Sequence, residues 1–198
     1  MAPSRNDALL DELIELFLEH GFLAFGIGDL AARLRCSRTT LYTVATSKEQ
    51  IVLAAVRGYF KRAADRIETK VAAEPDAGLR LRVYLAGVSE ELAPAGEQFF
   101  ADLAAFAPAA EVYEQNTRQA AQRVQDLVAA GVAAGRLRPI NARFVGGAVA
   151  EVMAAIQVGR LEAATGIGDA EAYAELADLV HRAVALPGEA PSDGSLPR

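Results

Sequence analysis

From Leu9 to Val184 the apolar side chains of this sequence recur three and four positions apart, and no stretch alternates β-branched with polar residues long enough to make a strand. The places between are filled by Ala, Glu, Arg and Leu, which favour helix in their own right. Pattern and propensity agree on an all-α fold. Proline, which cannot donate to the helical ladder, and glycine, which closes a helix in the left-handed conformation, then mark where each helix stops.

The spacing predicts a first helix from Asn6, as its N-cap, to His20, with Leu9, Leu10, Leu13, Ile14, Phe17 and Leu18 on one stripe. Gly21 suits the left-handed stop, after which Phe22 packs back on Phe17. A short helix follows over 27–34, then a turn at Arg35-Cys36 and a third helix of about two turns, capped by Ser37. Two overlapping capping boxes, Thr46 with Glu49 and Ser47 with Gln50, open a long fourth helix that runs through Ile67 and Val71 to Pro75. Further helices are expected over 77–92, 95–107, 109–135, 141–164 and 169–186, with breaks at Pro94, Pro108 and Pro139. The segment 187–198, PGEAPSDGSLPR, has the composition of a disordered tail.

The chain has 198 residues, 52% of them apolar, enough for a substantial core. No apolar run nears the roughly 20 residues of a membrane span, and MAPSRNDALLDE lacks the charge-then-apolar plan of a signal peptide. A soluble, cytoplasmic protein without membrane association is the expectation. One cysteine and two scattered histidines leave no disulfide framework and no Cys/His zinc site, and no metal or cofactor is expected. Cys36 reads as a buried packing residue, the alternative being a redox sensor. No Ser/His/Asp or paired-carboxylate spacing suggests catalytic residues, so an enzyme is not expected.

A net charge of −6 excludes a protein coated in positive charge, but the charge is unevenly placed. Arg33, Arg35, Arg38 and Lys48 occur with no acid among them, whereas the first helix carries Asp7, Asp11, Glu12, Glu15 and Glu19. A local basic patch suits contact with DNA phosphate, the plain alternative being a solvated face. Two short helices joined by a tight turn, the second opened by a serine cap, are also the sequence form of a helix-turn-helix. With Ser37 as N-cap, Cys36 and Leu41 form a hydrophobic staple, which turns Leu41, Val44 and Ala45 inward. Arg38, Thr39, Tyr42 and Thr43 then face outward, where they can donate to phosphates or base edges. Lys48 opens a helix whose dipole disfavours a cation, so its expected use is to help that N-terminus hold an anion.

The runs ELFLEHGF, DLAARL, SRTTLY and SKEQI occur in this order between Leu10 and Val56, and over that span the chain resembles the DNA-binding region of the tetracycline-repressor (TetR) family. The resemblance implies a homodimeric transcriptional regulator, usually a repressor that leaves a palindromic double-stranded DNA operator when a small-molecule effector binds its C-terminal domain. Carried to matching positions, it implies that Arg38, Thr39, Thr40, Tyr42, Thr43 and Lys48 face DNA. Tyr42 and Lys48 would hold phosphates, and Arg38 and Thr43 would read bases. The chain departs from the family pattern at Arg35, where a glycine is common, and at Phe25-Gly26, where threonines usually open the second helix. It departs again at Val44-Ala45, where a second aromatic is usual.

The organisation expected is a helix-turn-helix domain over 1–50, joined by the long helix to an effector-binding and dimerisation bundle over 51–186. Between Phe144 and Gly159 the only strongly polar residues are Glu151 and Gln157, so that helix must bury two faces. Gly146, Ala150, Met153 and Ala154, with Leu176 and Val180 of the last helix, are the residues expected at a twofold dimer interface. A helix wholly internal to one subunit is the alternative. Tyr84, Gln98, Phe99, Phe100, Phe106, Tyr113 and Asn116 are the candidates for lining an effector pocket, the same pattern being equally that of core. A helical protein of this fold that binds a small molecule or a partner, with weakened DNA binding, is the second functional reading.

Overall fold

The computed structural model describes residues 5–186, and the tail expected over 187–198 lies outside them. The described residues are helical with no strand. The helices are α1 (Arg5–His20), α2 (Ile27–Arg33), α3 (Arg38–Leu41), α4 (Lys48–Ala73), α5 (Ala77–Leu92), α6 (Glu97–Ala105), α7 (Ala107–Ala133), α8 (Ala142–Gln157), α9 (Arg160–Thr165) and α10 (Asp169–Val184). None of them is long and apolar enough to cross a membrane.

Most helix ends are made as their local residues dictate. Gly21 sits at φ +71° and its N–H bonds the carbonyl of Phe17 at 2.9 Å. Phe22 then folds back so that its ring lies 5.8 Å from that of Phe17. The opening of α4 uses both capping residues, though not as two separate boxes. Ser47 accepts from the N–H of Gln50 at 3.2 Å, while the Gln50 amide oxygen accepts from both the N–H and the hydroxyl of Thr46.

The break expected at Pro108 falls at Phe106 instead, because α7 starts at Ala107 and takes Pro108 into its first turn, where no N–H is needed, and three other boundaries differ more. Asn6 is not an N-cap, because α1 already includes Arg5 and the Asn6 side chain is bonded to Thr43 instead. The recognition helix α3 has four regular residues, with Tyr42 as its C-cap and a turn continuing to Val44, so the staple and cap act over less than two turns. The helix expected over 141–164 breaks after Gln157: Gly159 adopts φ +66°, and α9 starts afresh at Arg160.

A single apolar core runs through the molecule. At one end Leu13, Phe17, Leu30, Leu41 and Ile51 pack α1, α2, α3 and the start of α4 together. At the other, α7 lies along α8, and α5 is held between α4, α7 and α10. Two things tie the ends to each other. One is the 26-residue α4 itself, and the other is α6, which packs on α1.

Candidate functional site

The outward side of α3 is built from its caps. The Ser37 hydroxyl accepts from the N–H of Thr40 at 3.0 Å and pairs with the Thr40 hydroxyl at 2.8 Å. Leu41 is fully buried, and Val44 and Ala45 lean against the core, as the staple requires. Arg38, Thr39 and Thr43 are left exposed, and Tyr42 is an aromatic side chain with 46% of its surface open beside a neighbour with none. Arg38 lies over the start of α2, where Gly28 leaves room: a Cβ there would come within 3.1 Å of the guanidinium. Among the described residues Arg33, Arg35 and Arg38 enter no ion pair, so their charge stays available on this surface. Arg33 stacks on Phe25 at 4.9 Å from the ring centre.

The turn between α2 and α3 shows why glycine is favoured there. Arg35 takes φ +49°, the left-handed region in which a Cβ crowds the following carbonyl. Its chain nonetheless closes the turn, and the N–H of Cys36 reaches the Ala31 carbonyl at 3.0 Å. The Cys36 thiol is pushed up by burial and then by Glu12, with Arg5 opposing, so nothing here favours a reactive thiolate. Gly26 caps α2 without a side chain, and Asp29 supplies the missing bond by accepting from the Gly26 N–H at 2.8 Å.

Thr40, Thr43 and Lys48 are each already bonded within the protein. The Thr43 hydroxyl donates towards Thr40 O at 2.7 Å and Asn6 Oδ1 at 3.0 Å, and Asn6 Nδ2 returns a bond to the Thr43 carbonyl. The Lys48 ammonium swings off the N-terminus of α4 to donate to the carbonyl of Leu23 at 3.0 Å. That removes the conflict between a cation and the positive end of the helix dipole.

The N–H of Leu23, on the adjoining peptide, is held by a residue that sequence reasoning passed over. Asp102 of α6 is 4% exposed, and its Oδ2 accepts from the N–H of Phe22 at 2.5 Å and of Leu23 at 2.7 Å. Gln98 donates to its Oδ1 at 2.7 Å. Gly21 permits this approach, since a Cβ would meet the carboxylate at 2.6 Å. A carboxylate with three donors on an otherwise apolar face replaces its lost water with charge-assisted bonds. The visible signal was Asp102 falling three residues after Phe99, on the apolar stripe of α6.

Away from this end, a cavity of about 230 Å³ opens between α4, α5 and α7, completed by Met153 of α8 and Tyr173 of α10. It includes Tyr84, Tyr113 and Asn116 from the expected set. Gln98, Phe99 and Phe106 stand elsewhere: Gln98 serves Asp102, Phe99 packs edge-on between Phe22 and Tyr59, and Phe106 packs on Phe22. Phe100 stands behind the wall, 6.1 Å from the Tyr113 ring, and lines a separate surface groove instead. Phe60, Glu68 and Arg123 are lining residues that the sequence did not single out, because they lie on the inward sides of helices whose crossing points no local pattern encodes.

The residues expected at a dimer interface are used mostly inside the subunit. Gly146 lets α8 approach α7, where a Cβ would sit 3.1 Å from the Ala121 carbonyl. Met153, Leu176 and Val180 are buried in the same chain, and Ala150 and Ala154 are half-buried. Large apolar side chains are instead exposed at Phe144 (72%) of α8, at its C-cap Val158 (67%) and at Leu179 (65%) of α10, with Gly147, Ala148 and Glu151 exposed along α8. Periodicity shows that this helix has two apolar faces; it does not say which one meets its own subunit.

Residues 9–55 match the family model described as bacterial regulatory proteins, tetR family. A comparison with curated proteins finds no match. Solved structures of the same fold include a TetR-family regulator from Agrobacterium tumefaciens, 20% identical, with a TM-score of 0.67 over 91% of this chain and 97% of that one. A structure from Saccharomonospora viridis in complex with choline is 18% identical, with a TM-score of 0.70 over 91% and 97%. The ketosteroid transcriptional regulator of Mycobacterium tuberculosis is 18% identical, with a TM-score of 0.59 over 94% and 97%. Over residues 9–55 this chain is similar to the tetR-family model, and its described residues share the fold of these solved structures.

Proposed function

We propose that this chain is a ligand-responsive regulator of transcription that binds a palindromic operator as a homodimer and leaves it when a small molecule fills the cavity. Residues 1–50 form the DNA-binding domain in this reading, and 51–186 the effector-binding and dimerisation domain. The observation that carries it is the double grip on Leu23, whose N–H is held by Asp102 from the helical bundle and whose carbonyl is held by Lys48 beside the helix-turn-helix. A shift of α6 therefore moves the turn on which the recognition unit rests. The cavity wall reaches α6 through the packed rings of Tyr113 and Phe100. Effector binding works by favouring a conformation with poor DNA affinity. The choline held by the Saccharomonospora structure supports a small-molecule site in a chain of this fold.

On DNA, Arg38 and Thr39 meet base edges and Tyr42 a phosphate, while Lys48 has two further donors for a second phosphate. Thr40 and Thr43 set the position of α3, their hydroxyls being engaged in its cap and in the link to Asn6. Thr43 keeps a methyl for contact with thymine. Two copies dock through the outward face of α8 and α10, around Phe144, Val158 and Leu179, and so place two recognition helices about 34 Å apart. Gel shifts with the region upstream of the chain's own gene test this reading. A sequence-selective complex that weakens as salt rises is expected, and nonspecific binding alone would favour the reading of a helical ligand-binding protein with lost DNA contact.

A further inference from the structure

We propose that the cavity between α4, α5 and α7 selects an uncharged, ring-bearing molecule that offers a hydrogen-bond acceptor, such as a ketone oxygen, to the hydroxyl of Tyr84. This takes the cavity as the effector site and adds the chemistry of what enters it. Three features of the wall converge on it.

The first is that each acid on the wall is already satisfied. Glu68 receives Nε and Nη2 of Arg123 at 2.8 and 2.7 Å, one bond on each oxygen. Glu91 receives the same two-point contact from Arg66, with Nε on Oε1 at 2.8 Å and Nη2 on Oε2. A cationic ligand finds no free carboxylate, and an anionic one finds no free guanidinium. Either would have to break a bidentate pair or give up its water without a counter-charge.

The second is that the hydrogen-bonding groups left over are neutral. Tyr84 is 7% exposed and lines the cavity, yet its hydroxyl has no hydrogen-bond partner among the described residues. Asn116, one turn beyond Tyr113 on α7, adds a neutral amide. Tyr113 and Tyr173 already share a bond between their hydroxyls at 2.9 Å.

The third is the wall itself. Phe60 and Tyr113 stack with ring centres 5.4 Å apart and planes 12° from parallel, and Tyr84, Tyr173 and the pliable thioether of Met153 face the same space. Burial inside disfavours an unpaired charge. Burial first, and then Glu68, push the Tyr84 hydroxyl up to about 12, and burial, then Tyr173, hold Tyr113 well above the usual range. The volume, about 230 Å³, suits a small ring compound.

The test is calorimetric titration of the full-length protein with matched probes that share one ring and linker and differ in the charge and acceptor of the head group. Benzylacetone, hydrocinnamate and phenethyltrimethylammonium form one such set, repeated on cyclohexyl and naphthyl rings. The neutral ketones are expected to bind at least ~10-fold tighter than either charged partner on the best ring. Tyr84→Phe keeps the ring and removes the hydroxyl, and should weaken the ketone about fivefold. Arg123→Gln frees Glu68, and should raise affinity for the ammonium probe roughly tenfold and so narrow its gap from the ketone. A charged probe that binds as tightly as its ketone, a panel with no ketone bound, or an indifferent Tyr84→Phe overturns the assignment. Release of DNA is scored separately, so a ketone that binds this cavity without displacing DNA refutes the effector role and leaves the ligand class standing.

Discussion

The helix-turn-helix and the bundle behind it are made of the same helix-forming residues, but they are specified by different kinds of information. In the first, helices of four and seven residues are too short to hold themselves, so each end is fixed by a local device. Gly21 stops α1, Ser37 caps α3, Asp29 stands in for the side chain that Gly26 lacks, and Leu41 staples the turn. In the second, α7 runs for 27 residues and α8 is apolar almost all round, and what matters is which face meets which neighbour. Short polar elements present their outer surface to a partner in a geometry that residues three apart determine. Long apolar ones leave the choice of face to the whole bundle.

The largest effect should come at the joint between the two regions. Asp102→Ala strips the acceptor from the Phe22 and Leu23 N–H groups and is expected to cost about 3 kcal/mol in denaturant unfolding, with DNA affinity lost as well. Asp102→Asn, which keeps one acceptor oxygen, should lose less. A wild-type unfolding curve for the alanine variant would show that the Asp102 bonds add nothing to the joint.

Next comes a contrast within the bundle. Gly146→Val drives a side chain into the Ala121 carbonyl and Gln125 of α7, and should destabilise the fold by roughly 2 kcal/mol. Leu179→Glu places a charge on the outward face and should leave the subunit folded while it dissociates the dimer in sedimentation. If Gly146→Val separates folded monomers instead, the small-residue stripe meets a second copy after all.

Smaller again are the changes on the recognition surface. Tyr42→Ala should weaken binding to every operator variant by about tenfold, whereas Arg38→Ala should change the preference among variants. Equal losses from both on all sequences would contradict the division of roles. The smallest is Arg35→Gly, which relieves a left-handed residue and should raise stability by about 0.5–1 kcal/mol, read as a higher unfolding midpoint. A lower midpoint would mean that the Arg35 side chain contributes more than its backbone costs.

Which parts were legible in the sequence follows from the same contrast. The helix stops, the Ser37 cap and the outward set Arg38, Thr39, Tyr42 and Thr43 were readable, since each depends on residues within four positions. The engagement of Thr43 with Asn6 was not, because the two are 37 residues apart and meet only once α1 has packed. The break at Gly159 was missed for another reason: a glycine inside an apolar run is tolerated in a helix, and only the left-handed backbone shows that it ends one. In the bundle, Tyr84 and Tyr113 were found because aromatic residues beside amides mark pockets, but Phe99 and Phe106 share that pattern and are core. Asp102 stood in plain view on an apolar stripe, and a buried acid there implied a partner that only the tertiary structure names.

The central claim is that α3 reads DNA sequence from a dimer. Selection of bound duplexes from a random pool, carried out in parallel with the wild type and Arg38→Ala, tests it most directly. The account predicts that the wild type enriches a palindrome whose half-sites lie one helical turn, about 10 base pairs, apart, and that Arg38→Ala alters the enriched bases within each half-site. A pool that gains no common sequence, or one that Arg38→Ala leaves unchanged, would contradict it.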